Sequence, residues 1–173
     1  MEEKFVNEKA FHLAGIVPVA GQPLDFDFPW HDSCMPIAQN FLAAERSVME
    51  CAYAGCETIW VVCNDDIQPL IRYRLGEMVQ DPVWVLREHS FSKRDYQKPI
   101  QIHYVPISPR DVNKRDCLSW GVIHGATIAQ KICSGLSTNL GVDKFYVSWP
   151  YGFYGPTLVR KYRNLISSKK NFF

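Results

Sequence analysis

The chain has 173 residues, 47% hydrophobic and 13% aromatic, with a formal net charge of +1. These values suit one packed domain and exclude general disorder. No apolar run approaches the roughly 20 residues that cross a bilayer. The first 15 residues carry acidic charges and no long apolar core, so they do not read as a secretory signal. The expectation is a cytoplasmic protein with no membrane partner and no nucleic-acid partner.

Residues 1–10 form a polar lead-in. Residues 11–19 read as a strand, with Gly15 inside it or at its end. Residues 21–36 contain three prolines and alternating Asp and Phe, which excludes a regular helix. From Pro36 a helical period begins: Ile37, Phe41, Leu42, Val48, Met49 and Ala52 share one side, while Glu45, Arg46 and Glu50 can face water. Gly55 is the expected C-cap. Thr58–Cys63 is a continuous β-branched and aromatic run, the pattern of a strand covered on both faces.

Residues 67–79 read as a helix with Pro69 in its first turn, ended by Asp81-Pro82. Asp65 or Asp66 suits the foot of that helix. Residues 83–86 could form a short strand, followed by a polar segment through Pro99. Residues 100–107 alternate as a further strand, and residues 109–116 are charged and loop-like. Ser119 can cap a helix over residues 120–134. Residues 144–149 are the last strand candidate, followed by a Pro- and Gly-rich turn and a basic helix or tail over residues 157–173. Strands alternating with helices predict an α/β fold: a mainly parallel sheet sandwiched by helices, in a single domain.

The six cysteines form no C-x-x-C pair and sit largely in apolar patterns, so they read as reduced packing residues. Only His31, Asp32 and Cys34 lie close enough in sequence to suggest a metal cluster. The final 30 residues hold six of the 19 basic side chains and none of the 18 acidic ones, which leaves −5 on the first 143. Such a segment either binds an anion or is a solvated helix face.

Several segments resemble the nucleotidyltransferase superfamily, the sugar-phosphate nucleotidylyltransferases with a Rossmann-like core. Leu13-Ala14-Gly15 is similar to the start of that family's glycine loop. Met35-Pro36-Ile37 resembles its second proline motif. Glu45-Arg46-Ser47, followed by Ala54-Gly55 and the strand from Thr58, follows its helix–Gly–strand pattern. Residues 121–126 resemble the glycine-led helix that covers the nucleotide. The resemblance implies a nucleotide-diphospho-sugar-transferase-like fold that binds a nucleotide or nucleotide sugar and, if active, transfers a nucleotidyl group to a sugar phosphate.

The departures concern charge. The family's loop carries an arginine and its first proline is followed by a lysine; here residues 16–21 contain no basic residue and Trp30 stands near the lysine position. Where the family strand delivers a metal-binding aspartate, this chain reads Ser148-Trp149-Pro150. Phosphoryl transfer depends on cations set against developing negative charge. The usual catalysis is therefore in doubt, and no catalytic residue is assigned. A non-enzymatic structural or interaction protein on the same scaffold is the alternative.

The expected binding cleft gathers Ala14, Gly15, Gly21, Asn64 and Gly121 near the carboxyl ends of the strands. Gly121 either opens a helix N-terminus to a ribose or phosphate, or packs the helix closely on the sheet. Asp25, Asp27 and Asp32 could hold Mg²⁺ through carboxylate oxygens, or be solvated loop acids. Trp149, Tyr151, Phe153 and Tyr154 could form an aromatic wall for a base or sugar, or pack in the core or at a subunit interface, and a homo-oligomer stays open.

Overall fold

The structure is a computed structural model that describes residues 11–21, 27, 29–86, 98–112, 114–115, 117–137 and 140–169. The lead-in 1–10, Asp25, most of the polar segment before Pro99 and the last four residues lie outside the described residues.

Four strands anticipated from hydrophobic patterning share one sheet. They are β1 (Leu13–Pro18), β4 (Thr58–Cys63), β6 (Pro99–Pro106) and β7 (Lys144–Val147), all parallel. A short antiparallel strand, β5 (Met78–Gln80), pairs with the start of β6. The spatial order is β5-β6-β4-β1-β7. The chain thus builds outward from β1 through β4 to β6, then crosses back to lay β7 on the other side of β1. That reversal makes the carboxyl ends of β1 and β7 a topological switch point, where open α/β sheets hold ligands. β4 sits next to β1 in the middle of the sheet, and Ile59 through Cys63 are buried on both faces, as the unbroken apolar run requires.

Helix α1 (Ala43–Ala54) packs on one face of the sheet, and α4 (Leu118–Leu136) covers β1 and β4 on the other. Gly55 ends α1 in the left-handed region at φ 92°. The α4 contact depends on Gly121, Gly125, Ala129 and Cys133, a buried stripe repeating every fourth residue. A Cβ at Gly125 would fall 2.5 Å from Val62 Cγ2, so only glycine lets the helix approach this closely. The helix begins at Leu118 with Cys117 at the cap and no side-chain cap bond, so Ser119 does not cap it.

Three local expectations are corrected. Residues 36–42 are not helical: they form a small hairpin, β2 (Pro36–Ala38) with β3 (Phe41–Leu42). Asn40 adopts φ 55° at its turn, a conformation asparagine tolerates. The helix starts only where the Glu45 carboxylate accepts the Leu42 N–H at 2.6 Å. The helix expected over 67–79 stops at Leu75, because Gly76 turns at φ 72°; α2 is Gln68–Leu75 and β5 follows. The strand expected at 83–86 is the short helix α3 (Pro82–Val85), whose first turn is capped by Asp81 accepting the Val83 N–H.

The basic C-terminal segment forms a 3-10 helix (Pro156–Tyr162) and a short α5 (Arg163–Ile166). Arg163 donates to the Ala52 carbonyl at the end of α1 (2.9 Å) and to both oxygens of the buried Asp81 carboxylate. Lys144 Nζ donates to the Ile166 carbonyl at 3.0 Å. At least these two cations serve the fold. No helix among the described residues is long and apolar enough to cross a membrane.

Candidate functional site

After β1 the chain stays on the sheet: the Val19 and Ala20 amides both donate to the Val62 carbonyl, at 2.8 and 2.7 Å. Gly21 follows with φ 132°, a backbone that favours glycine. Gly21 and Asn64 then meet in a hollow at the carboxyl ends of β1 and β4, together with Ala20, Ile107, Asp111 and Arg115. The hollow encloses about 10 Å³, room for about one water molecule. Arg115 lies 3.6 Å from Asp111 and stacks its guanidinium 4.4 Å from the Trp120 ring centre.

The other expected residues are placed elsewhere. Ala14 and Gly15 lie inside β1, not in a loop after it, roughly 10 Å from the strand's end at about 3.3 Å per residue. A Cβ on Gly15 would fall 2.9 Å from Cys51 Sγ and 3.1 Å from Cys56 Sγ, so this glycine admits α1 to the sheet. Gly121 is buried against the end of β1, 3.4 Å from Pro18 Cβ by the same construction. Of the aspartates, Asp27 is exposed and Asp32 is buried in a 3-10 turn (Asp32–Cys34). The ring Nδ1 of His31 accepts the Ser33 N–H at that turn's start. Among the described residues no three His, Cys, Asp or Glu side chains stand together as a metal site.

The strongest polar feature lies on the α1 side of the switch point, and it corrects the expectation that Arg46 and Glu50 face water. Both are buried, at 0% and 2% exposure. The Glu50 carboxylate accepts from Arg46 Nη1 (2.5 Å), Tyr146 Oη (2.6 Å) and Ser148 Oγ (2.9 Å). Arg46 Nη2 donates to Ser47 Oγ at 3.1 Å and to the Trp149 carbonyl. Tyr154 lays its ring 4.7 Å from the guanidinium carbon. Burial, then the hydrogen bond to Glu50 and its negative charge, push the Tyr146 phenol far up; the same causes raise Tyr154. Tyr151 is raised by burial and by the charge of Asp32 nearby. The network is a neutralised ion pair in which every oxygen charge has a donor.

Two larger openings flank these features. One, of about 300 Å³, lies over Arg46 between the β2–β3 hairpin and residues 153–156. The other, of about 590 Å³, wraps the outer edge of β6 where β5 stops pairing. Its walls include Arg72, Glu77, Tyr104, His124 and His103, whose ring stacks on Trp60 at 4.3 Å. Burial holds His103 below the usual histidine value. Two positions on that sheet edge are taken: Ile102 N–H donates to the Glu77 carbonyl, and the carbonyl of Pro106, which has no N–H, accepts from His124 Nε2 at 3.1 Å.

Sequence reasoning missed Arg115 and the Arg46 network. The charged run 109–116 signalled the first, since it follows a strand at the binding edge. The alternation of Tyr146 and Ser148 on one side of β7 signalled the second, because two polar groups on an inward face require a polar partner. No protein-family model matches this chain, and no curated protein matches it either.

Proposed function

We propose that this chain is a nucleotidyltransferase-like binding domain that takes a nucleotide or nucleotide sugar at the carboxyl ends of β1 and β4, without the family's usual catalysis. The observation that supports this reading most is the meeting of Gly21 and Asn64 in the hollow at the carboxyl ends of β1 and β4, one strand over from the reversal between β1 and β7. Gly21 offers backbone, Asn64 an amide side chain, and the first turn of α4 starts beside them. Arg115, whose 3.6 Å pairing with Asp111 is long and partly exposed, is the cation nearest a phosphate there, since the loop after β1 has none. Nucleotide binding opens the small hollow by displacing Arg115 from Trp120. With no lysine or arginine between Lys9 and Arg46, a pyrophosphate leaving group finds no cation on the first loop.

Calorimetric titration with nucleoside triphosphates and nucleotide sugars, with and without Mg²⁺, tests the reading. Weak saturable binding is expected, reduced about tenfold in Arg115→Ala, as the loss of one charge-assisted hydrogen bond implies. No pyrophosphate release is expected with sugar phosphates. Binding untouched by Arg115→Ala places the ligand elsewhere, and turnover overturns the non-catalytic part. The small volume of the hollow favours a second reading, a scaffold protein with no nucleotide site; absence of any titration heat or thermal shift supports that one.

A further inference from the structure

The cavity over Arg46 carries an inference independent of nucleotide binding at the other edge of the switch point. Among the described residues its walls are Ile37, Ala38, Phe41, Phe153, Tyr154, Gly155 and Pro156, and Arg46 is the one charged residue lining it. Arg46 is fully buried, yet its Nε–H has no hydrogen-bond partner among the described residues. A buried charged donor left unpaired is destabilising, so such a group calls for an acceptor. We propose that this cavity is a second binding site, for a small neutral aromatic molecule whose carbonyl oxygen accepts from Arg46 Nε.

The ligand's charge follows from the network below it. The positive charge of Arg46 is already matched by Glu50 at 2.5 Å. A carboxylate ligand would add an uncompensated negative charge beside Glu50 in a site of low dielectric. A neutral carbonyl satisfies the donor without that penalty. Its ring suits the walls, since aromatic rings gain from offset or edge contacts with Phe41, Phe153 and Tyr154. The volume, about 300 Å³, is at the low end for ligand pockets and fits a single substituted ring. Tyr154, 44% exposed, stacks on the guanidinium, so its ring must turn aside as the carbonyl reaches Nε.

The test is a ¹H–¹⁵N spectrum of the arginine Nε–H groups of the full chain, titrated with benzamide and, separately, benzoate. Saturable movement of the Arg46 Nε–H resonance by benzamide is expected, with benzoate at least tenfold weaker. Ala38→Trp should fill the cavity from its exposed strand and abolish the response. Phe153→Ala, which removes a ring that is 70% exposed and so leaves the core intact, should weaken it several-fold. An unmoved Arg46 resonance, benzoate binding as tightly as benzamide, or unchanged binding in Phe153→Ala each overturns the proposal. None of these outcomes depends on nucleotide binding near Arg115.

Discussion

The two faces of the sheet are held by different physics. On the α1 face, contact is built around polar groups brought from far apart in the chain: Arg46 and Glu50 meet Tyr146, Ser148 and the Trp149 carbonyl, and Arg163 bridges the end of α1 to Asp81. On the α4 face, one helix of low charge lies on Ile16 and Val62 through a stripe of small residues. The first arrangement is directional and fails when a single partner is lost. The second is steric and fails when a methyl group is added. The two larger openings follow the same division: the Arg46 cavity lies on the polar side, and the groove at β6 is walled in part by Trp60, His103 and α4.

The largest effect should come from the polar face. Glu50→Ala leaves Arg46 charged, buried and uncompensated, and should cost about 3–5 kcal/mol of stability in urea unfolding. The double variant Arg46→Met with Glu50→Leu should lose less than either single change, since both charges leave together. Equal losses for single and double variants would erase the distinction between the faces.

The steric face should answer at about 1–3 kcal/mol. Gly125→Ala drives a Cβ against Val62 Cγ2, and trimming the neighbour in Val62→Ala should recover part of the loss. The same helix holds an internal control. Nothing lies within 4 Å of a Cβ built on Gly135, so Gly135→Ala should stabilise, by up to about 1 kcal/mol. A loss at Gly135 in thermal unfolding would mean that something other than helix propensity sets the response there, and the control would fail.

Near neutrality the smallest effects are those of pH, and the faces divide them by direction. Cys63, packed on the α1 side, is pushed up to about 12, chiefly by burial and then by Asp65 and Asp66. Its folded value exceeds its unfolded one, so its contribution is complete below the ordinary thiol range and is lost as pH rises toward about 12. His103 is depressed by burial, so its contribution is complete above the usual value of 6.5 and is lost as pH falls below that. Cys63→Ala should flatten the alkaline limb of a stability–pH curve, and His103→Phe the acid limb. Exchange of these two outcomes would show that the titrating groups lie elsewhere.

Local pattern alone determined the parallel strands β1, β4, β6 and β7, the α1 terminus at Gly55 and the span of α4 to within a few residues. Each is a repeating choice of apolar and turn residues that neighbours in sequence suffice to express. It also led to Gly21 and Asn64, because residues that follow parallel strands must emerge at one edge. Tertiary structure decided the rest. Arg46 and Glu50, four apart on a helix, read alike on a wet surface and in a core; only Tyr146 and Ser148, nearly a hundred residues away, make burial affordable. Gly15 carries no mark that separates a ligand-binding loop from close packing, and the thiols of Cys51 and Cys56 settle which it is. Residues 36–42 satisfy a helical period, yet Asn40 and the Glu45 cap hold them as a hairpin, since a short apolar run takes the backbone that its surroundings can hydrogen-bond.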